Sequence, residues 1–225
     1  MEPDERRHRP LEAGTVTRLA GQKKNPQRVS VFIDETFAFG VHVDLIVEFG
    51  LHKGQALSVE EQQRIVEADR ARAARAMALD YLGYRARTEH EVRQKLTRSG
   101  FDDAVAERTV VWLCELSYLD DAAYARSYVE ARFRNRGYGP GRLRADLQRR
   151  GIEGRLIDAA LETLVEQEDM LEAARSHAEK RWPRLAAEAD AFKRRKKLSE
   201  YLVRRGFSYD TARRVVDEFE NRTED

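Results

Sequence analysis

The stretch Val92-Arg93-Gln94-Lys95-Leu96-Thr97-Arg98-Ser99-Gly100-Phe101 returns, in changed residues but the same design, as Leu143-Arg144-Ala145-Asp146-Leu147-Gln148-Arg149-Arg150-Gly151-Ile152 and as Leu198-Ser199-Glu200-Tyr201-Leu202-Val203-Arg204-Arg205-Gly206-Phe207. The three glycines are 51 and 55 residues apart, and periods of that size mark stacked supersecondary units. In each copy two apolar residues stand four apart on one helical face: Val92 and Leu96, Leu143 and Leu147, Leu198 and Leu202. The glycine follows where a helix must stop, because it alone enters the left-handed C′ conformation without steric cost. Phe101, Ile152 or Phe207 then supplies the hydrophobic contact of that cap.

Apolar stripes at helical spacing flank each short helix. Downstream lie Val105, Val110 and Leu113, then Leu156, Leu161 and Leu164, then Ala212, Val216 and Phe219. Upstream lie Ala74-Ala78-Leu82, Tyr124-Tyr128-Ala131 and Ala174-Ala178-Trp182. Thr88-Glu89-His90-Glu91 has the form of a capping box, and Pro140 suits a first helical turn. The fold class expected is therefore mainly α, three tandem three-helix repeats over 74–119, 120–166 and 167–225. Pro183 and the Ala186-Ala187-Glu188-Ala189 run are read as a longer, irregular connection before the Leu198 helix.

Ahead of the repeats the period changes to two. Val29, Val31 and Ile33, then Phe37, Phe39, Val41 and Val43, read as a β-hairpin across Asp34-Glu35-Thr36, joined by a strand near Val16 to Leu19. This small N-terminal β extension, 14–57, is marginal alone and is expected to rest on helices. A polar leader, 1–13, is expected to be disordered, and a helix opened by the box Ser58-Val59-Glu60-Glu61 links sheet to repeats over 58–73. Gln22-Lys23-Lys24-Asn25 with Arg28 reads as a solvated basic turn in preference to a phosphate contact.

Chemistry has few candidates. The five histidines, His8, His42, His52, His90 and His177, share no motif, and neither a nucleophile elbow nor a zinc helix nor a phosphate loop is present. No catalytic residue, metal or cofactor is expected, and the single Cys114 beside Leu113 reads as packing. No apolar run is long enough to cross a bilayer and there is no secretion signal, so a cytoplasmic protein is expected.

Charge is what stands out. The net charge is only +1, yet Arg126 to Arg155 holds nine arginines against Glu130, Asp146 and Glu153, and Lys193 to Arg205 holds seven cations against Glu200. The acids gather on the third helices and the junctions, for example Asp158, Asp217 and Glu220. Arg98, Arg149 and Arg204 complement helix dipoles. The rest point to a binding surface, and arginine in place of lysine favours bidentate contact with carboxylate or phosphate.

These residues resemble the RecX regulators of the RecA recombinase. Tyr81-Leu82, Arg85-Ala86-Arg87-Thr88, Glu91-Val92, Lys95-Leu96 and Gly100-Phe101 look like that family's first repeat. Tyr118-Leu119-Asp120-Asp121, Arg132, Gly137 and Gly141 to Ile152 look like its second, and Phe37-Ala38-Phe39-Gly40-Val41 resembles the leader of longer members. The third unit departs most, lacking an Arg-x-Arg before its short helix. The resemblance implies a non-catalytic, curved and basic-faced protein that lies in the RecA filament on DNA and restrains its ATPase and strand exchange, and a monomer is expected. The residues assigned to partner or DNA contact are Arg85, Arg87, Lys95, Arg132, Arg134, Arg136, Arg142, Arg144, Arg149, Arg150, Lys193, Arg194, Arg195, Lys196 and Lys197. Two alternatives stay open: a module that binds single- or double-stranded DNA directly, with Tyr128, Phe133 and Tyr138 stacking on bases, and a helical scaffold for an unrelated protein.

Overall fold

The structure is a computed structural model that describes residues 10–23 and 25–221. Most of the expected leader and Lys24 of the basic turn lie outside the described residues. The chain forms two compact units, one comprising residues up to Tyr81 with Leu96–Thr109, the other Leu82–Lys95 with Val110 onward.

In the first unit, strands β1 (Gly14–Gln22), β2 (Asn25–Ile33), β3 (Thr36–His42) and β4 (Ala56–Leu57) form an antiparallel sheet of order β3-β2-β1-β4. The hairpin turns on Asp34 and Glu35, both at positive φ, so Thr36 already belongs to β3. Val43 is not a strand residue as the alternation suggested. It opens the short helix α1 (Val43–Glu48), where the His42 ring accepts from the Asp44 amide and Leu45 enters the core. Val16, Val31, Ile33, Phe39 and Val41 pack with Leu45, Leu51, Leu57 and with Ile65 of α2 (Val59–Gly83). Arg28 is no solvated turn residue: its guanidinium spans the Gly40 carbonyl at 2.7 Å and Asp69 of α2 at 2.8 Å.

The helices that follow are α3 (Glu89–Arg98), α4 (Asp103–Glu115), α5 (Asp121–Arg136), α6 (Pro140–Gln148), α7 (Gly154–Gln167), α8 (Met170–Leu185), α9 (Ala191–Arg205) and α10 (Tyr209–Asn221). All six residues of the short-helix stripes have 0 % exposure, which establishes that face as core. The three glycines sit at φ 91°, 75° and 98°. The amides of Phe101, Ile152 and Phe207 reach back to the carbonyls of Leu96, Leu147 and Leu202 at 3.2, 3.2 and 3.3 Å, the six-to-one bond of a Schellman cap.

Three details differ from the sequence reading. In α5 the buried apolar positions are Ala125 and Val129, while Tyr124 and Tyr128 lie half-buried beside them; small residues let the backbone approach α7 and leave each phenol able to reach a polar partner. In α7 Ile157, not Leu156, is fully buried. Pro183 lies within the last turn of α8, which Leu185 anchors in the core, and α9 starts at Ala191 because the Asp190 carboxylate caps the Lys193 amide at 3.1 Å. The Lys193 to Lys197 run is therefore helical.

Within the second unit the short helices meet end to end. The amides of Gly139 and Gly141, at the start of α6, bond the carbonyls of Arg205 and Gly206 at the end of α9, both at 2.8 Å. A Cβ on Gly139 would collide with the Gly206 backbone. Likewise, at the end of α6, the Arg150 carbonyl accepts from the Thr88 hydroxyl at the start of α3, 2.7 Å away, and Gly151 abuts the His90 ring.

Candidate functional site

An open cleft of about 690 Å³ lies where the α2–α3 connection, the α4–α5 turn, α5 and the end of α6 meet, all within the second unit. The α4–α5 turn is sharp: Ser117 takes φ 59°, Leu119 turns into the core, and Tyr118 is held out at 58 % exposure. Asp120 then caps α5 through the Ala123 amide at 2.8 Å. Along α5, Tyr124, Tyr128 and Arg132 stand four apart and form one wall. The two rings lie nearly parallel, 12° apart with centroids at 6.1 Å. Arg132 and Arg150 both place their guanidinium groups near the Tyr128 ring, at 5.2 and 4.6 Å from its centroid.

The opposite wall is the segment Arg85-Ala86-Arg87. Arg85 is fixed by Glu91 at 2.8 Å and by the Ala86 carbonyl at 2.8 Å. Thr88 and Glu91 exchange the two bonds of the expected capping box, each at 3.2 Å. Burial alone would raise the Glu91 carboxyl, but the Arg85 bond and the Thr88 amide outweigh it and hold it below the ordinary carboxylate range, so it stays charged. Burial, reinforced by nearby Asp146, pushes the Tyr128 phenol above its ordinary value; it remains a neutral donor to the Asp146 carboxylate at 3.2 Å. Asp146 also pairs with Arg149. Arg150, by contrast, uses one nitrogen on the Asp146 carbonyl at 2.7 Å, and its buried Nε has no acceptor among the described residues.

The fold thus brings Arg85, Arg87, Arg132 and Arg150 of the expected contact residues to one cleft. Arg134 and Arg136 are exposed on the last turn of α5, and Arg142 covers the Tyr138 ring at 3.9 Å. Phe133 and Tyr138 pack against the repeat's core instead of lining the cleft. Arg144 pairs with Asp158, and Lys95 is exposed on α3 without lining the cleft.

The Lys193 run is differently placed. Arg194 binds Glu220 through two bonds of 2.9 and 2.6 Å, with side chains only 14 % and 9 % exposed, and also the Glu188 carbonyl. Arg195 pairs with Asp217, Lys197 with Glu188 at 2.6 Å and Lys193 with Asp190 at 3.5 Å. Lys196 is exposed, with no ion pair among the described residues. The acids that looked separate in sequence are these cations' partners, because α10 and the α8–α9 connection fold against α9.

Of the tyrosines that line the cleft, the sequence reading names Tyr128 as a stacking residue but not Tyr118 or Tyr124; the four-residue spacing of Tyr124, Tyr128 and Arg132 is the signal that groups them. Burial foremost, together with Glu89, pushes the Cys114 thiol up to about 11, far from a reactive thiolate. No cluster of three His, Cys, Asp or Glu among the described residues could hold a metal, and no described helix is long and apolar enough to cross a membrane.

Comparison with known proteins accounts for the whole repeat array. Family models match for the RecX first, second and third three-helix domains over 74–113, 120–161 and 167–216, and for the regulatory protein RecX N-terminal domain over 14–58. The regulatory protein RecX of Bacillus licheniformis is 34 % identical over 219 residues, covering 93 % of this chain and 79 % of that protein. Its counterpart in Clostridium acetobutylicum is 32 % identical, covering 92 % and 97 %. A crystal structure of regulatory protein RecX superposes with a TM-score of 0.72 at 29 % identity, covering 91 % of this chain and 99 % of that one. RecX from Lactobacillus salivarius does so at 0.61 and 27 %, covering 68 % and 98 %. With repeats, caps, sheet and relatives all in agreement, the chain belongs to the RecX family of regulatory proteins.

Proposed function

We propose that this protein acts in the cytoplasm as a monomer that binds the RecA recombinase filament on DNA and inhibits its ATP hydrolysis and strand exchange. The observation that carries the reading is the cleft of the second repeat. Its arginines 132 and 150 have no carboxylate partner among the described residues, in a family whose relatives are named regulatory proteins. A guanidinium held against an aromatic ring keeps its N–H edge available to an anion, either a carboxylate of RecA or a phosphate of its DNA. Inhibition then comes from occupancy, and weak contacts from several repeats sum through effective concentration.

The test is DNA-dependent ATP hydrolysis by RecA with wild-type protein and with the variant Arg132→Ala, Arg134→Ala, Arg136→Ala, its folding verified by circular dichroism. We expect the variant to need about tenfold more protein for equal inhibition, the equivalent of ~1.4 kcal/mol of lost contact. Equal inhibition by both proteins would reject this arginine face, and no inhibition by wild type would reject the reading itself. Direct action on DNA without RecA is the second reading, favoured by the tyrosines that line the same cleft.

A further inference from the structure

We infer that the cleft of the second repeat takes one nucleotide step of single-stranded nucleic acid, the base against Tyr118 and Tyr124 and the phosphate on Arg132 and Arg150. The inference rests on the proposed role as filament regulator for its setting, since a filament on DNA presents such a strand.

Four features carry it. The cleft, about 690 Å³, is of the size that holds small ligands, roughly 300–1,000 Å³. Tyr118 is held outward by a left-handed turn residue while its neighbour Leu119 is buried, and no hydrogen bond or ring contact engages its side chain among the described residues. A large aromatic so exposed contributes little to the core, but it offers a face on which any base can stack. Arg132 and Arg150 flank the aromatic wall without a carboxylate partner, which places cations beside the π surface. Asp120, the acid lining the cleft, is committed to the α5 cap.

An acidic protein segment would use the arginines but gain nothing particular from three tyrosines. In a duplex the base faces are already stacked and paired, so a single strand is the form whose chemistry matches both walls.

The test uses the full-length protein without RecA and fluorescence anisotropy with a labelled oligodeoxythymidylate. A strand of equal length built of abasic units, a duplex, and an oligoglutamate competitor complete the set. The thymidylate strand should bind more tightly than the abasic strand or the duplex. Tyr118→Ala should weaken the thymidylate strand about tenfold while leaving the abasic strand unchanged, with Tyr118→Phe restoring affinity. Arg132→Ala should weaken both strands. Equal loss for both strands in Tyr118→Ala, no loss at all, preference for duplex, or displacement by oligoglutamate at lower concentration than by unlabelled thymidylate would each overturn the assignment. Wild type that inhibits RecA without binding the strand also overturns it and leaves the regulator reading standing. Strand binding without any effect on RecA supports it and removes that reading.

Discussion

The second and third repeats carry basic runs of similar density in sequence, and the fold treats them in opposite ways. Around α5 and α6, Arg144 and Arg149 are paired with Asp158 and Asp146, but Arg132, Arg142 and Arg150 lie against tyrosine rings and form no ion pair among the described residues. On α9, Arg194, Arg195 and Lys197 are answered by Glu220, Asp217 and Glu188. A cation packed on a neutral ring is still a cation to its surroundings; one locked to a carboxylate presents a dipole. Local charge excess along a chain therefore overstates a binding surface wherever the next helix brings the compensating acids.

The sharpest way to break this contrast is to remove one arginine from each repeat. Arg194→Ala removes the two-bond guanidinium contact from Glu220, only 7 % exposed, and should lower Tm by roughly 5 °C while leaving the affinity for a strand or for RecA unchanged. Arg132→Ala should do the reverse, with Tm within about 2 °C of wild type and affinity reduced. Thermal melts and anisotropy on the same two variants decide it; if Arg194→Ala loses affinity while folded, the third repeat is a contact surface after all.

Salt sharpens the comparison next. Two phosphate contacts to a single strand, through Arg132 and Arg150, give a slope near −1.4, so affinity should fall roughly sevenfold between about 50 and 200 mM salt. The variant Arg132→Ala should show a slope shallower by about 0.7, whereas Lys197→Ala should leave it unchanged. A salt-independent affinity would mean that the second repeat's arginines are ordinary solvated surface.

The smallest effect expected is one of pH, where the two repeats join. His177 lies against Gly137, with Arg205, Lys180, Tyr201 and Phe207 around it. Burial first, then the charge of Arg205, lowers its pKa despite a bond to the Gly137 backbone. A depressed folded-state value means the unfolded chain binds the proton better. The contribution is complete above the ordinary histidine value of about 6.5 and is lost as pH falls below it and through the folded value. Burial raises Asp121, whose carboxylate accepts from the Glu89 amide, and gives the opposite sign. Comparing melts at pH 7.5 and 5.0, His177→Gln should lose less stability than wild type; an identical loss would assign the pH response to other groups.

The periodic part of the fold was legible because its causes are local. Two apolar residues four apart and a glycine suited to a left-handed cap need no knowledge of the rest of the chain, and all three copies formed as read. Val43 was misread because alternation runs on for one residue past the point where the His42 ring caps a helix. The start of α9 was missed because Asp190 acts as its cap, which the proline and the alanine run nearby obscured. At the site, Arg85, Arg87, Arg132 and Arg150 are legible in the sequence as cations of the two repeat motifs. Tyr128 was legible as a stacking residue, but its grouping with Tyr124 was not, because the two have the spacing of a core stripe and only the packing of Ala125 and Val129 against α7 moves them aside. Which cations are spent on carboxylates was illegible, since partners such as Arg194 and Glu220 are 26 residues apart and meet only by tertiary folding.

The joint between α6 and α9 is made of main chain: two amides of Gly139 and Gly141 on two carbonyls, at glycines where a Cβ would intrude. Such a hinge plate has no side-chain torsions through which to relax, so strain entering at the last helix pair is passed on to α6 and the cleft beside it instead of being absorbed at the seam. Hydrogen exchange should find the Gly139 and Gly141 amides among the slowest loop amides of the unit, opening only when the two repeats come apart. A partner that grips the third repeat without touching any arginine of the second would then still alter how widely the cleft stands open.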